Sequence, residues 1–515
     1  MAAIAAYAID ALGAGVQPWP SLLVALVVSG VGAAAASRSD RVSAELLIWA
    51  GVVIVLSAVL LRMGPPSHVP PGRGPDLTHH LLLVDYIERT GHLVHDRALD
   101  GSMGEMAHYT PASHVLAVMA GRWFGTDGLH AFFPVAVVCC ALTAGFLFLI
   151  GRRQQLSVPH ALIAVLLLFL PVQYFFGAFT HDGFLSQAVS TLFAVAMWWA
   201  IVVWDSQPSR MAAALVSVFL VATFLSWPIW LGPPLLVFLL LSLRAPIDAR
   251  ERAVHWAIVL VPLLVTFAYH SAGRWGWMVI VRTSGAVLHP SLESLGWVLP
   301  VLAVLGVVLG ASDSRGRVSL MLLCAALLQA ASLYTIAKLQ GAHTPYMAFK
   351  MVYFLIYPLA VFAAIALAKL SALSRSYDNI GWLMAALLMA LAVRPAVATP
   401  RVLPVADDDL YAMGRWVRAN GAATCTDYLV ADAETAYWLH LAVLGNSRSG
   451  PRMAEVDGYD ARAAVAPWIT SAGRRYAIAD LRLLPAEVRA HVELVAESGH
   501  AAVIRERNAT MKGCD

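Results

Sequence analysis

Charged residues are scarce in this chain of 515 residues. They account for 13% of the sequence, against about 25% in a typical soluble domain, while hydrophobic residues account for 59% and the mean hydropathy is +0.70. The net charge of +3 is small, and the charges are spread along the chain. This composition excludes a set of soluble domains, and nothing in it indicates nucleic-acid binding.

Several familiar sequence signals are missing as well. The opening stretch "MAAIAAYAIDALGAG" has no basic segment before its apolar run, so it does not predict a cleavable signal peptide. We therefore expect insertion to depend on the first spans themselves. No HExxH motif or similar ligand spacing occurs, which removes the usual sequence indication of metal ligation by histidines. We find no internal repeat of the kind that marks many transporters.

What the sequence does contain is long apolar runs, which recur over its first 400 positions. Each is long enough to cross a hydrocarbon core about 30 Å thick, so we predict an all-α polytopic membrane protein with about twelve spans. The predicted spans are 21–37, 45–62, 129–150, 159–179, 185–204, 211–230, 232–243, 254–270, 295–311, 318–337, 347–369 and 380–396.

The short basic loops between these spans predict the orientation. Because lysine and arginine are enriched on the cytoplasmic side of membranes, these loops are expected to lie in the cytoplasm. The opposite side then receives the 63–128 loop, the 271–294 loop and everything after about residue 397, which predicts a plasma-membrane protein with an extracytoplasmic C-terminus. The basic loops are 37–41, 151–155, 206–210, 244–252, 312–317 and 369–375.

The composition changes to charged and mixed after Pro400. Helical patterns there alternate with short strand-like runs such as "YAIAD" and "AAVIRE", which is typical of a small α/β domain. We therefore divide the chain into a transmembrane domain at 1–399, whose outer loop is 63–128, and an extracytoplasmic α/β domain at 400–515.

Cysteine is rare, with five residues in the chain. Cys139, Cys140 and Cys324 fall within predicted spans and are interpreted as packing thiols. Cys425 and Cys514 fall in the outer domain, where oxidation is permitted, so a disulfide between them would fix the C-terminus. The spacing alone leaves that pairing open.

Titratable residues are concentrated in the first outer loop. Eight of the seventeen histidines lie between His68 and His130. The stretch "DLTHHLLLVDYIERTG" has helical periodicity from Asp76 to Gly91, which places Asp76, His79 and His80 on about the same face of one helix. Asp76 is either a functional carboxylate or the N-cap of that helix, and the two roles are compatible.

A second helix start follows in the stretch "HYTPASHVLAVMAGRWFG". Thr110 is the predicted N-cap, with Pro111 at the first helical position. His108, Tyr109 and His114 flank this start. So many histidines favour proton transfer or metal ligation, although histidines are also common at the wet edge of membranes.

The aspartate that begins a helix, the following "HH", and the "Y-T-P-x-x-H" before the next span resemble the first outer loop of type-C glycosyltransferases. That class takes sugars from polyprenyl-phosphate carriers, and it includes protein O-mannosyltransferases, lipid A aminoarabinose transferases, arabinosyltransferases and oligosaccharyltransferases. The resemblance covers residues 72–120 and implies that Asp76 acts as a base or a metal ligand. This chain has Pro75-Asp76-Leu77 where many members carry an acidic pair, and it lacks the WWD signature of oligosaccharyltransferases.

Two further outer-side segments carry candidate groups. In "FTHDGFLSQ", His181 and Asp182 lie at the outer end of the fourth predicted span, where a charged group needs water or a partner. The resemblance implies a second acidic residue here, so we predict that Asp182 joins Asp76. The alternative is that Asp182 caps a helix starting near Phe184.

Cations complete the set of candidates. Lys350 lies about one turn inside the eleventh predicted span, where it either binds a lipid phosphate or snorkels to the interface. In the 271–294 loop, Arg274 and Arg282 stand beside tryptophans, as in a phosphate grip or an interfacial belt. Arg394 is a similar cation at the end of the last span. The predicted substrate-binding residues are His79, His80, His108, Tyr109, His114, His181, Arg274, Arg282, Lys350 and Arg394.

These residues lead to one hypothesis, a glycosyltransferase with Asp76 and Asp182 as catalytic residues and a polyprenyl-phosphate sugar as donor. Asp76 and Asp182 are also the predicted ligands if a divalent ion, Mg²⁺ or Mn²⁺, takes part. The expected acceptor is a glycan, a lipid or a protein. Membrane lipids are the other expected partners. The first alternative is a transporter or lipid flippase, because titratable residues and prolines in spans also suit gating. The second is a noncatalytic scaffold of the cell envelope.

Overall fold

The structure is a computed structural model, in which α-helices dominate up to residue 372 and a small sheet appears after residue 404. The predicted cations Arg274, Arg282 and Arg394, together with His181 and most of the 380–396 span, lie outside the residues it describes. Those described residues are 1–36, 44–62, 64, 69–72, 75–175, 177–180, 182–273, 285, 287–310, 316–372, 379, 382–384, 386–387, 404–461, 464, 468 and 476–506.

The part of the chain before residue 372 is helical in almost every described segment. Short 3-10 turns interrupt it at Arg97–Leu99, Gly104–His108, Leu167–Phe169 and Pro228–Leu231. The helices are α1 (Ala2–Ala11), α2 (Pro18–Ala36), α3 (Ala44–Leu61), α4 (Pro75–Thr90), α5 (Asp100–Met103), α6 (Ala112–Phe124), α7 (Gly128–Arg153), α8 (Val158–Leu166), α9 (Val172–Phe175), α10 (Gly177–Thr180), α11 (Leu185–Ser206), α12 (Arg210–Ser226), α13 (Gly232–Arg244), α14 (Ala249–Gly273), α15 (Val298–Gly310), α16 (Arg317–Leu339) and α17 (Tyr346–Ser371).

These helices confirm the predicted fold class, with two corrections to individual spans. The predicted span at 159–179 is broken into α8, a 3-10 turn, α9 and α10, because Pro171 cannot continue the helix that precedes it. The predicted span at 211–230 ends at Ser226 for the same reason, since Pro228 follows. Within the described residues, the other predicted spans up to 369 each coincide with a helix.

Six of the described helices are long and apolar enough to cross a membrane, namely α3, α7, α11, α14, α16 and α17. They divide into two groups by burial. The apolar windows of α7, α11 and α17 are 67%, 83% and 89% buried inside the protein, while those of α3, α14 and α16 are 11% to 22% buried. Helices α7, α11 and α17 therefore form the centre of the bundle, and the others leave wide apolar faces for lipid.

A four-stranded sheet follows in the C-terminal region. Strands β1 (Thr426–Leu429), β2 (Tyr476–Asp480), β3 (Val492–Ser498) and β4 (Ala501–Glu506) lie in the order β1-β2-β4-β3. Strands β1 and β2 are parallel, and the other pairs are antiparallel. The predicted runs "YAIAD" and "AAVIRE" are β2 and β4. The helical segments of this region are Asp408–Ala419, Ala433–Trp438, Pro451–Asp457 and Ala486–His491, with a 3-10 turn at Ala423–Cys425 and a π-helical turn at Leu439–Val443.

The C-terminal region contacts the 63–128 loop through charged pairs. Arg418 donates to both carboxylate oxygens of Asp85 on α4, at 2.5 and 2.8 Å, which is the strong bidentate geometry of an arginine–carboxylate pair. Arg448 donates to Glu105 at 2.5 Å in the middle of the loop. The C-terminal region therefore holds the loop that carries the candidate site.

The interpretation as packing thiols is confirmed for two of the three cysteines in the predicted spans. Cys139 and Cys140 are buried free thiols on α7, whereas Cys324 is an exposed free thiol on α16, so the interpretation is wrong for Cys324. Cys425 forms a disulfide. Its predicted partner, Cys514, lies outside the described residues.

Candidate functional site

The site begins at the first turn of α4. This helix starts at Pro75 and ends at Thr90, and Gly91 follows with a φ of +69°, a left-handed conformation that favours glycine and stops a helix. Asp76 lies in the first turn rather than at the cap, so the N-cap interpretation is wrong. An acidic side chain there is stabilised by the positive end of the helix dipole.

Asp76 contacts the first residue of α17. The Tyr346 hydroxyl, at the start of α17, donates to Asp76 Oδ2 at 3.3 Å. The ammonium of Lys350, one turn further along α17, lies within electrostatic range of both Asp76 and Asp182. Two carboxylates from separate segments therefore lie in the neighbourhood of one lysine, and neither forms an ion pair with it among the described contacts.

Lys350 is buried, with 2% of its surface exposed. The snorkelling interpretation is therefore wrong for this lysine. Among the residues that the structure describes, no carboxylate forms an ion pair with its Nζ, and its surroundings are aromatic. A buried cation without a bound anion is costly, so this position is suited to an anionic ligand. Nζ lies 2.6 Å from the Phe184 ring centroid, 4.9 Å from that of Tyr346 and 5.9 Å from those of Trp227 and Tyr353.

Asp182 lies in the short turn that precedes α11, within electrostatic range of Lys350. The Tyr353 hydroxyl donates to Asp182 Oδ2 at 3.0 Å, so Tyr353 holds Asp182 as Tyr346 holds Asp76. The N-cap position of α11 is Phe184, with no side-chain cap. The alternative in which Asp182 caps that helix is therefore wrong.

Gly183 sets the approach of this turn to α4. A Cβ added at Gly183 would lie 2.7 Å from the Cβ of Leu77, and the φ of Gly183 is +69°. We expect Gly183→Ala to displace Leu77 and, with it, the adjacent Asp76. The matched control is Gly91→Ala, which has the same φ of +69° but nothing within 4 Å of the added Cβ.

Both variants carry the cost of a left-handed alanine, about 1 kcal/mol, and Gly183→Ala adds the clash. In detergent-purified protein, the melting temperature of Gly183→Ala should therefore fall clearly below that of Gly91→Ala. Equal melting temperatures for the two variants would show that the turn does not pack on α4 as described.

Two histidines form a buried pair behind Asp76. His80 Nδ1 and His114 Nε2 are 3.0 Å apart, and His114 is in turn bonded to Ser113, whose Oγ is 2.6 Å from Ser186 Oγ. The ring of Tyr109 packs edge-on against both imidazoles. These contacts join α4, α6 and α11 next to the first carboxylate.

Burial decides the charge of this pair. It lowers the pKa of His80 to about 4, although the nearby Asp76 carboxylate acts in the opposite direction. Burial also lowers the pKa of His114 well below its usual value and raises the pKa of Tyr109 well above its usual value. All three are therefore neutral at neutral pH.

The depressed pKa of His80 predicts a pH-dependent stability. Its unfolded form binds a proton below about pH 6.5, whereas the folded form stays neutral down to about pH 4. Stability is therefore complete above pH 6.5 and falls by about 3 kcal/mol toward pH 4 from this residue. His114 acts in the same direction. We expect the melting temperature of His80→Gln to depend less on pH between 6.5 and 4 than that of the wild type; equal slopes would contradict this assignment.

His79 points away from His80, toward the C-terminal region. Its Nδ1 lies 2.7 Å from Glu105 Oε1, and its Nε2 lies 2.5 Å from the Tyr437 hydroxyl. Partial burial would raise the pKa of Glu105, but the hydrogen bond and charge of His79, together with Arg448, lower it to about 2. His79 therefore connects the site helix to the C-terminal region.

Of two other predictions for this loop, one stays a prediction and one needs correction. His108 pairs with Asp100, at 3.2 Å, no described contact joins it to Asp76 or Lys350, and its substrate-binding role stays a prediction. Thr110 is not an N-cap, because α6 begins at Ala112 and the Thr110 hydroxyl donates to the Ser226 carbonyl at 3.2 Å. That bond ties the loop to the end of α12, where Trp227 enters the site.

Some residues of the site carry little sequence signal. Trp227 is 5% exposed, and its indole N–H has no hydrogen-bond partner among the described residues. It is therefore a donor available to a ligand beside Lys350. Tyr346 stands four positions before Lys350, which is one helical turn, and that spacing could have identified it. Glu105 and Tyr437 have no such local relation to the site.

Two groups of acidic side chains among the described residues are candidates for binding a metal ion. Asp76 and Asp182 provide carboxylate oxygens of the kind that Mg²⁺ and Mn²⁺ prefer, although each already accepts a hydrogen bond from a tyrosine. In the C-terminal region, Asp407, Asp409 and His500 place three ligand atoms within 4.8 Å of one another, which is close enough to hold an ion. His500 already pairs with both of those aspartates, at 3.1 and 2.9 Å.

No protein family and no curated protein matches the chain. Solved structures do match it. A mutant of the arabinofuranosyltransferase AftD from Mycobacteria is 13% identical, with a TM-score of 0.52 over 91% of this chain and 42% of that one. ArnT from Cupriavidus metallidurans, bound to undecaprenyl phosphate, is 14% identical, with a TM-score of 0.49 over 91% and 99%. The oligosaccharyltransferase of Archaeoglobus fulgidus, in complex with Zn and sulfate, is 14% identical, with a TM-score of 0.44 over 84% and 68%.

At these identities the likeness concerns the fold. The AftD match has a TM-score above 0.5, and this chain spans less than half of the length of that protein. The match covers 91% of the present chain. The architecture predicted from the sequence is confirmed by this likeness.

Proposed function

We propose that this chain, which has the fold of the type-C glycosyltransferases, is a membrane glycosyltransferase. It transfers a sugar from a polyprenyl-phosphate donor to an acceptor on the extracytoplasmic face of the plasma membrane. The observation that carries the proposal is the buried Lys350, which lies within electrostatic range of the Asp76 and Asp182 carboxylates and has no ion-pair partner among the described residues. A lipid phosphate would supply the missing anion.

The proposed reaction is a single displacement at the anomeric carbon. Asp76 accepts the proton of the acceptor hydroxyl, and the acceptor oxygen forms a bond to that carbon. The bond between the carbon and the phosphate oxygen breaks, and the lipid phosphate leaves with the electron pair. Lys350 stabilises the charge that develops on this phosphate. The configuration at the anomeric carbon is therefore inverted.

The other residues of the site position these groups. Tyr346 and Tyr353 hold the two carboxylates, and Trp227 offers an indole N–H to the sugar or the phosphate. Asp182 favours the protonated form of Lys350 by its proximity and so opposes the effect of burial. If a divalent ion binds between Asp76 and Asp182, it would neutralise phosphate charge in addition to Lys350.

The test is to incubate purified full-length protein with radiolabelled polyprenyl-phosphate sugars and crude envelope acceptors. Release of the lipid phosphate together with a labelled acceptor supports the enzyme. Movement of the labelled lipid across a vesicle membrane without bond cleavage would support the flippase instead. If neither occurs with any donor, the scaffold is favoured. Repeating the assay with EDTA tests the divalent ion.

A further inference from the structure

A large apolar cavity lies beside the bundle, along the N-terminal half of α7. Its volume is about 780 Å³, in the size range of small-molecule sites. Its lining extends along α7 from His130 to Cys139, which is about 14 Å at 1.5 Å per residue. The side chains that line it include Leu116, Ala120 and Trp123 of α6, Val135 and Val138 of α7, and Leu192 of α11.

The cavity reaches the surface that faces lipid. Phe124 and Val138, which both line it, are 83% and 41% exposed. Val138 belongs to α7, one of the membrane-spanning candidates, so this exposed apolar side chain lies where hydrocarbon surrounds the protein. The cavity is therefore open to a chain that enters sideways from the bilayer.

A second, polar pocket of about 420 Å³ adjoins the cavity at Thr126, which lines both. It lies where α4 and α6 meet the Asp408–Ala419 helix of the C-terminal region. Four arginines and two carboxylates line it, so it carries a formal charge of about +2 when all are ionised. These residues are Arg89, Arg122, Arg415, Arg418, Asp85 and Glu88.

The two carboxylates of the pocket are already engaged. Asp85 accepts from Arg418 and Arg89. Glu88 accepts from the Gly128 amide at 3.2 Å, and burial raises its pKa, which weakens its charge.

Arg122 and Arg415 remain as the available cations of the pocket. Arg122 contacts the Glu88 carbonyl at 3.5 Å, and Arg415 contacts the Tyr411 hydroxyl at 3.4 Å. Within the part of the chain that the structure describes, neither arginine forms an ion pair with a carboxylate. Arginine binds phosphate through two parallel N–H donors, so this pair suits a phosphate group.

We infer that the cavity and the polar pocket form one binding site for a lipid with an anionic, phosphate-bearing headgroup. The hydrocarbon chain occupies the apolar cavity along α7, and the phosphate lies between Arg122 and Arg415. Thr126 marks the junction of the two. Neither Asp76 nor Lys350 lines either pocket, so this lipid is not the one at the carboxylate–lysine site. The inference concerns binding and stands whether or not the chain transfers sugar.

The experiment uses phosphatidic acid with a photoreactive diazirine in its acyl chain, added to the full-length protein in detergent. Illumination should label peptides of α6 and α7. Unlabelled phosphatidic acid should compete, whereas diacylglycerol, which lacks the phosphate, and inorganic phosphate, which lacks the chain, should each compete at least tenfold more weakly.

Variants separate the two halves of the site. Arg122→Gln with Arg415→Gln should reduce labelling at least tenfold, and so should Val135→Trp, which fills the cavity. Ala120→Leu is a second cavity-filling variant if Val135→Trp lowers the melting temperature. Arg153→Gln, an exposed arginine at the opposite end of α7, should leave the labelling unchanged.

Each other outcome overturns the inference. Loss with the arginine variants alone, or full competition by inorganic phosphate, would mean a soluble-anion site. Loss with the cavity variants alone, or full competition by diacylglycerol, would mean an unspecific apolar site. Labelling that all variants leave intact would place the lipid elsewhere.

Discussion

An Asp76→Asn variant is expected to transfer sugar about 100- to 10,000-fold more slowly than the wild type, the range that a lost general base produces. Asparagine has nearly the same shape as aspartate, and its carbonyl can still accept the hydrogen bond from Tyr346 that Asp76 now receives at 3.3 Å. The first turn of α4 should therefore keep its structure. What disappears is the ability to take a proton from the acceptor hydroxyl.

Single-turnover measurement with a labelled polyprenyl-phosphate sugar would isolate this step from donor binding. The matched control is Asp96→Asn, an exposed aspartate of the same loop whose carboxylate accepts only from the Ala98 amide among the contacts described. It should transfer at the wild-type rate. Transfer by Asp76→Asn within threefold of the wild type, at an equal melting temperature, would remove Asp76 from the role of base.

The sequence was sufficient where local rules apply. Asp76 at the start of a helix, Gly91 at its end, and Lys350 one turn inside a span were all predicted from periodicity, from the special backbone of glycine, and from apolar length. Each of these depends on residues within a few positions of one another. The helical architecture and the two strands of the C-terminal region follow from the same kind of pattern.

The sequence was insufficient where distant segments meet. Tyr346 and Asp76 are 270 positions apart, and His79 and Tyr437 are 358 apart, so no spacing rule relates them. The same reason explains the incorrect interpretations. Whether Lys350 snorkels or stays buried depends on Phe184, which arrives from another segment.

The role of Glu105 could not be predicted from the sequence either. Glu105 was one acidic residue among several in the outer loop, yet it bonds both His79 and Arg448. Its pKa is depressed to about 2 against the effect of burial, mainly by His79 of the same loop and further by Arg448 of the C-terminal region. A site assembled from two regions therefore has residues that neither region identifies alone.

Replacing Lys350 with methionine is expected to have opposite effects on activity and on stability. Methionine has a similar length, and it fits the aromatic surroundings formed by Phe184, Tyr346 and Trp227 without a buried charge. Since an unpaired buried cation destabilises a protein, the melting temperature should be equal to or above that of the wild type. The transfer rate should fall about 100- to 1,000-fold, as when one charge-stabilising donor is removed.

A lower transfer rate at an equal or higher melting temperature distinguishes a functional lysine from a structural one. A lysine that only holds the bundle together would lose stability and activity in parallel, so a lower melting temperature in Lys350→Met would contradict the phosphate-binding role. Lys338→Met is the matched control, because Lys338 is exposed and donates to the His343 carbonyl; both of its values should stay at the wild-type level. Since the donor already carries a negative phosphate before the reaction, KM should rise together with the fall in kcat, and a change in kcat alone would confine Lys350 to the leaving group.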